Sequence, residues 1–145
     1  MSTEKTWQMH STSSADTEAF GERIGAQLLG GEVIELVSDL GGGKTTFVRG
    51  LVRGAGSTDT VSSPTFTISK EYSAPRFTIA HFDFYRLAEA GIVAEELREY
   101  IHSESVVTII EWSDIVHDVL PLKRLRISIQ YAGETERDIL CEYTS

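Results

Sequence analysis

Apolar residues recur at helical spacing in two segments of the first half of the chain. From Ser14 to Gly31 they fall three or four positions apart, with Ser14 suited to cap the first turn and two glycines at the end. Residues 45–56, TTFVRGLVRGAG, place apolar side chains on one helical face and also end in glycines. These patterns predict two helices, and we expect a third, shorter helix around Val93–Tyr100.

Strand patterns fill most of the rest of the chain. Short continuous apolar runs are typical of buried parallel strands, whereas alternating segments separated by a turn predict antiparallel pairs. The runs are residues 32–37 and 106–111, and the alternating pairs are 61–72 with 76–84 and 125–130 with 137–143. A strand and helix followed by hairpins predicts an α/β fold with a mixed β-sheet flanked by helices.

Length and composition fit one globular domain. The chain has 145 residues, of which 41% are hydrophobic and 24% charged. Residues 1–13 are polar and show no period, so we expect a flexible start and a single domain over residues 14–145. No apolar run approaches the ~18 residues of a membrane span, and the first residues do not have the layout of a secretory signal. We therefore expect a cytoplasmic protein without a membrane segment.

The cysteine count and the net charge narrow the function classes. A single cysteine, Cys141, excludes an internal disulfide, and its apolar, alternating surroundings predict a buried thiol. The formal net charge is -9, and the basic residues form only small groups, at 123–126 and in the set Lys44, Arg49 and Arg53. Tight binding to tRNA or other nucleic acid by this chain alone is therefore not expected.

Residues 38–47, SDLGGGKTTF, lie between the first apolar strand and the second helix. They match the phosphate-binding pattern G-x-x-x-x-G-K-[ST], except that Ser38 occupies the position of the first glycine. In such a loop the backbone N–H groups surround the phosphates, the lysine reaches the β- and γ-phosphates and the hydroxyl after it binds Mg²⁺. The predicted nucleotide contacts are Leu40, Gly41, Gly42, Gly43, Lys44, Thr45 and Thr46.

A glycine-rich turn with a surface lysine is the alternative interpretation of this loop. Three glycines at the start of a helix cost stability, so a loop without a ligand is the weaker interpretation. A serine fits at position 38 if its φ is negative, and we expect it to weaken the loop geometry at most.

Two acidic residues end apolar strands, where a P-loop enzyme holds Mg²⁺ or its waters. Glu111 ends VVTIIE and Asp83 ends FTIAHFD, and each could instead be a solvated strand end. Trp112 could stack on an adenine or belong to the core. Thr65, in the segment SSPT, could sense Mg²⁺ and the γ-phosphate as in nucleotide switches, or could belong to a Ser/Pro turn. A hydrogen-bonded structural role is favoured for His81 over a metal or base role.

Four segments in order resemble the TsaE family. They are DLGGGKTTFVRGL, VSSPTFTISKEY, HFDFYRL and IIEW, and the resemblance runs from about residue 16 to residue 140. TsaE proteins are bacterial P-loop ATPases of N6-threonylcarbamoyladenosine (t6A) synthesis in tRNAs that read ANN codons. The resemblance implies a single P-loop domain that hydrolyses ATP slowly with Mg²⁺. It also implies TsaD and TsaB as partners, the ATPase supporting that pair without modifying the tRNA itself.

The resemblance also implies roles for single residues. Lys44 matches the P-loop lysine, Thr45 the Mg²⁺ ligand, and Thr65 the switch-like threonine. Asp83 falls in an element implicated in activity, Glu111 matches the acid that holds Mg²⁺ or orients water, and Trp112 matches a tryptophan associated with nucleotide binding. Catalytic roles are thus expected for Lys44, Glu111 and Asp83, and metal contacts for Thr45, Glu111 and Thr65. Ser38 is the departure, since the family usually has glycine there.

Two other function classes fit part of the pattern. A small P-loop kinase would need an arginine-bearing lid and an acceptor pocket, for which 145 residues leave little room. A nucleotide-dependent binding switch with little hydrolysis fits the same motifs as a slow ATPase. Arg86 is the nearest candidate by motif for an arginine finger, which a partner could also supply. The chain lacks the guanine-reading motif N-K-x-D, which favours ATP over GTP.

Overall fold

The computed structural model describes residues 6–38, 43–62, 69–84 and 91–144. The helices are α1 Ser14–Gln27, α2 Lys44–Gly54 and α3 Gly91–Ile101, with a 3₁₀ helix at Ser113–Val119. The strands are β1 Thr6–Ser11, β2 Val33–Ser38, β3 Ser69–Ser73, β4 Thr78–Asp83, β5 Val106–Glu111, β6 Arg124–Tyr131 and β7 Arg137–Thr144.

The strands form one mixed sheet in the order β1-β7-β6-β2-β5-β4-β3. Strand β2 lies in the centre and pairs in parallel with β5 and β6, while β4 pairs in parallel with β5. The other pairs, β1 with β7, β6 with β7 and β3 with β4, are antiparallel. The predicted mixed α/β sheet is therefore confirmed, and the carboxyl ends of β2, β4 and β5 meet at one edge.

Two apolar clusters lie on the two faces of the sheet. On one face α1 and α2 cover the centre, and Phe47 and Leu51 pack with Ile34 and Ile127. On the other face α3 and the 3₁₀ helix bury Leu97 and Val116 against the strands. Cys141 lies in the first cluster without exposure, as predicted, and burial raises the pKa of its thiol to about 12.

Helices α1 and α2 approach each other through glycines. A Cβ added at Gly25 would lie 2.0 Å from the carbonyl oxygen of Leu51, and one added at Gly50 would lie 2.0 Å from that of Glu18. A Cβ added at Gly21 would lie 2.3 Å from the carbonyl oxygen of Phe47, and one added at Gly54 would lie 2.0 Å from that of Glu22. The two backbones are therefore in direct contact, with no side chain between them at these positions.

The first strand differs from the sequence prediction. Residues 1–13 were expected to be flexible, but Thr6–Ser11 form β1, which pairs antiparallel with β7 from Thr6 opposite Glu142 to Ser11 opposite Arg137. This strand lies at the edge of the sheet and is exposed over most of its length, so its sequence lacks the apolar alternation of a half-buried strand.

Helix ends also differ by a few residues. The N-cap of α1 is Ser13 rather than Ser14, because the Ser13 hydroxyl accepts a hydrogen bond from the Asp16 backbone N–H. Helix α1 ends at Gln27, before the expected glycines, and α3 begins at Gly91 rather than near Val93. Both hairpins form, although residues 63–68 lie outside the described part of the chain. No helix in the described part is long and apolar enough to cross a membrane.

Candidate functional site

The candidate site begins where the central strand β2 meets α2. Ser38 is the last residue of β2, and Gly43 is the N-cap of α2 with φ 101°, in the left-handed region that favours glycine. No side chain caps α2, so the N–H groups of its first turn lie at a positively polarised helix end. Thr45 and Thr46 are half-buried in that turn. The predicted contacts Leu40, Gly41 and Gly42 lie outside the described residues.

Lys44 is a buried residue, not a surface lysine. Its side chain starts α2 and is 10% exposed, with Nζ 3.3 Å from Glu111 Oε1 and 4.8 Å from the centroid of the Trp112 ring. A lysine this buried is rare unless it is paired. The arrangement excludes the interpretation of Lys44 as a solvated residue of a tight turn.

Glu111 ends β5 and contacts two basic groups. One carboxylate oxygen faces Lys44, and the other accepts a hydrogen bond from Nε2 of His81, which is 1% exposed. Burial alone raises the pKa of Glu111, but the His81 hydrogen bond and the nearby positive charges outweigh burial and lower it. Glu111 is therefore ionised at neutral pH and can only accept hydrogen bonds, which makes His81 Nε2 the donor. Among the described residues His81 Nδ1 has no partner.

The second acid, Asp83, is brought to the same edge of the sheet. It ends β4, is 9% exposed and lies opposite Glu111 in the parallel register. Glu111 is thus next to the start of α2, and Asp83 lies one strand further along the same edge of the sheet. Thr65 and Arg86, the predicted switch threonine and arginine-finger candidate, lie outside the described residues.

Trp112 follows Glu111 with a strained backbone. Its φ of 56° and ψ of 57° are left-handed, and no other non-glycine residue in the described ranges has a positive φ. Such strain is typical of functional sites. Trp112 lines a hollow of about 150 Å³ together with Lys44 and Ser38, so the ring lies beside the predicted loop lysine.

A larger cleft of about 470 Å³ opens at the start of α2, and its size is in the range of small-molecule sites. Its lining comes from three places: the start of α1, the start of α2 and the turn between β6 and β7. The lining residues are Thr12, Ser13, Ser14, Thr17, Gly43, Thr46, Glu134, Thr135 and Arg137.

Arg137 is a site residue that the sequence did not reveal. Its Nε lies 3.9 Å from the position of a Cβ built on Gly43, and its guanidinium stacks 4.3 Å from the centroid of the Tyr131 ring. The arginine stands at the start of β7 in an ordinary polar turn, so no motif marks it. Only the pairing of β6 with β7 brings it beside the loop.

The other arginines of the predicted basic set lie against acids. Arg53 donates to Glu18 at 2.5 Å and to Glu22 at 2.7 Å, and Arg49 lies 3.6 Å from Glu18. Together with the Lys44–Glu111 pair, these contacts neutralise the set. In the part of the chain described here, the set therefore does not form a basic patch.

A central parallel strand, a left-handed glycine and a buried lysine at the start of the next helix define the P-loop class of folds. The fold is similar to that of the crystal structure of Bacillus subtilis YdiB, with a TM-score of 0.83 and 34% identity. That match covers 100% of this chain and 90% of the other.

Comparison with protein families identifies the group within this class. The family described as threonylcarbamoyl adenosine biosynthesis protein TsaE matches residues 11–139. A tRNA threonylcarbamoyladenosine biosynthesis protein TsaE of Bacillus subtilis is 40% identical over 86% of this chain and 77% of its own length. The TsaE of Rickettsia bellii is 33% identical over 92% of this chain and 91% of its own length. The chain belongs to the TsaE family, which confirms the resemblance drawn from the motifs.

Proposed function

We propose that this protein is a cytoplasmic, Mg²⁺-dependent ATPase of t6A synthesis that acts on the TsaB–TsaD pair. The observation that carries the proposal is the buried Lys44–Glu111 pair at the start of α2. The names of the TsaE relatives support the pathway, and the resemblance supports the two partners. The family's ATPase activity supports hydrolysis as the reaction.

The residues present fit a bound nucleotide with its metal. The uncapped start of α2 offers N–H groups, and Lys44 would exchange its contact with Glu111 for the β- and γ-phosphates. Thr45 would bind the metal through its hydroxyl, with Glu111 or Asp83 holding the metal's waters. Magnesium usually takes only one or two protein carboxylates beside the phosphates, which suits these two acids. When bound, it would neutralise the negative charge that builds up on the phosphates.

Glu111 is suited to orient the attacking water. Its ionised carboxylate is held in place by His81, so one oxygen remains fixed while the oxygen now facing Lys44 becomes available. Asp83 lies opposite on β4 and can share this role. The Glu111→Gln and Asp83→Asn variants test which of the two acids orients the water. Unchanged ATP turnover in both variants would exclude this scheme.

We assign the base and ribose to the cleft beside Gly43. The cleft adjoins the helix start that would hold the phosphates, and hydroxyls from both α1 and α2 line it. Arg137 lies at the rim of the cleft beside Gly43, where it could contact the ribose or the α-phosphate. A nucleotide-dependent switch with little hydrolysis would use the same cleft, and the turnover measurement below separates it from the ATPase.

Steady-state ATP hydrolysis with Mg²⁺ tests the proposal, with the protein alone and with purified TsaB–TsaD. We expect slow turnover alone, faster turnover with the partners and loss of both in Lys44→Ala. Lys123→Ala, at an exposed lysine outside the site, is the matched control and should behave as the parent does. Nucleotide binding without Lys44-dependent turnover in either condition would contradict the ATPase and leave the binding switch.

A further inference from the structure

Glu35 is a buried acid in the middle of the central strand. It is only 8% exposed, and the residues directly before and after it in the strand are apolar. Ser113 Oγ donates a hydrogen bond to Glu35 Oε2 at 2.5 Å, and Arg124 Nε donates to Oε1 at 2.9 Å. Arg126 Nε lies 4.0 Å from the same oxygen. Burial raises the pKa of Glu35, but these partners outweigh burial and lower it, so the group is an ionised acceptor.

The hydrogen bond from Ser113 holds a strained turn. Ser113 is the first residue of the 3₁₀ helix and follows Trp112, whose left-handed backbone has no side-chain cap. A residue keeps such a conformation only when its surroundings enforce it. On one side Glu111 is fixed by β5 and His81, and on the other side Ser113 is fixed by Glu35.

The strained turn places the Trp112 ring against Lys44. The ring centroid lies 4.8 Å from Lys44 Nζ, within the range of a cation–π contact. Glu35 belongs to the strand that leads into the phosphate-binding loop, so this hydrogen bond ties the turn after β5 to that strand, in addition to the backbone pairing of β2 with β5. The ring covers one side of Lys44, while Glu111 occupies another.

We propose that Glu35 and Ser113 form a clamp that positions Trp112, and through it Lys44, for nucleotide binding. This inference rests on the proposed function, since Lys44 is the phosphate-binding lysine there. The polar partners of Glu35 and Ser113 in the described residues do not include Lys44, so they are positioning residues. Loss of the clamp frees the Trp112 turn to relax and lets the Lys44 side chain sample other directions.

The fluorescence of Trp112 gives a readout that needs no nucleotide. The chain has two tryptophans, so a Trp7→Phe parent leaves Trp112 as the single emitter. In this parent, Ser113→Ala should raise acrylamide quenching of Trp112 by about twofold, because the ring loses its fixed position. Ser113→Thr retains the hydroxyl and should restore the parent value. Ser105→Ala, at an exposed serine before β5, is the matched control and should leave quenching unchanged.

Kinetics of the same variants test the effect on Lys44. A hydrogen bond to a buried charge is worth about tenfold or more in an equilibrium constant, so KM for ATP should rise about tenfold in Ser113→Ala. The fall in kcat should be smaller, because Glu111 remains held by His81. Glu35→Gln keeps an acceptor for Ser113 and should have a smaller effect than Ser113→Ala.

Unchanged quenching and unchanged KM in a folded Ser113→Ala would overturn the clamp. Thermal unfolding shows whether each variant is folded. If Glu35→Gln does not fold, the quenching and KM of Ser113→Ala are sufficient to test the clamp. If the Trp7→Phe parent hydrolyses no ATP, the proposed function fails, whereas the quenching comparison still supports or overturns the clamp by itself.

Discussion

Ser38 stands where the phosphate-binding pattern has its first glycine, and its backbone explains why a serine is accepted. It is the last residue of β2, paired in register with Ile129 of β6, and its φ is not positive. A side chain at this position therefore meets no conformational obstacle. The left-handed conformation falls instead on Gly43, which is a glycine.

Restoring the glycine should change nucleotide affinity little. We expect Ser38→Gly to alter the Kd for ATP less than about tenfold, because the backbone is already extended and gains nothing from glycine's freedom. Isothermal titration calorimetry with Mg²⁺ and ATP measures this directly. A larger gain in affinity would mean that the serine side chain, not the backbone, obstructs the loop.

Single residues of the site were partly predictable. Motifs predicted Lys44, Glu111 and Asp83, and the structure brings the three to one edge of the sheet. The contacts that hold them were not predictable. His81 reaches Glu111 across 30 positions and Ser113 reaches Glu35 across 78, so only the strand order brings these pairs together. Their roles in binding and catalysis remain predictions.

At the scale of elements, the contact of α1 with α2 depends on glycine. Gly50→Ala would raise helix propensity by about 1 kcal/mol, but its Cβ would lie 2.0 Å from the Glu18 carbonyl oxygen. Since backbone cannot yield as a side chain does, we expect a net loss of about 1–3 kcal/mol in the free energy of unfolding. Urea denaturation followed by circular dichroism measures it.

A second glycine serves as the control for this change. Gly133 lies in the turn between β6 and β7, where the nearest atoms to an added Cβ all belong to the Glu136 side chain. Gly133→Ala should stay within about 0.5 kcal/mol of the parent. Equal losses of unfolding free energy in the two variants would show that the close approach of α1 and α2 does not explain the effect of Gly50→Ala.

Strand β1 is held to β7 partly by a histidine between two acids. His10 Nδ1 lies 2.7 Å from Asp138 Oδ1, and Nε2 lies 2.7 Å from Glu136 Oε1. The hydrogen bonds with Asp138 and then Glu136 raise the pKa of His10. A raised folded-state pKa adds stability below the unfolded value of about 6.5, and this stability is lost as pH rises through the folded pKa.

The pH dependence of this contact can be measured by thermal unfolding. The Tm difference between the parent and His10→Gln should be largest near pH 6 and shrink as pH rises above the folded pKa. His102→Gln, at an exposed histidine just after α3, is the control and should show no comparable change with pH. A difference that is constant with pH would mean that His10 acts by packing alone.

Elements with a buried face were predictable from the sequence, whereas the exposed edge strand β1 was not. The apolar runs of β2 and β5 and the alternation of β6 and β7 predict these strands within a few residues. Strand β1 was missed because most of its side chains are exposed and it is held mainly by backbone pairing with β7. Sequence patterns report side-chain burial, so a strand held by its backbone leaves little signal.

At the scale of the whole molecule, the distribution of charge disfavours binding to nucleic acid. The net charge is -9, and the arginines of α2 lie against Glu18 and Glu22 of α1. We expect the protein alone to bind tRNA with a Kd weaker than about 100 μM at physiological salt. Fluorescence anisotropy with labelled tRNA, with and without ATP, tests this. A Kd below about 10 μM would contradict this prediction.

The direct contact between α1 and α2 has a mechanical consequence for the cleft. Ser13 and Thr17 line it from the start of α1, and Gly43 and Thr46 line it from the start of α2. Because the two backbones touch through glycines, α1 and α2 cannot move closer together, so their separation sets the minimum width of this side of the cleft. Glu134 and Thr135 also line the cleft, from the turn between β6 and β7, and Arg137 lines it from the start of β7. We therefore expect a change in the width of the cleft on ligand binding to come from that turn rather than from the pair of helices.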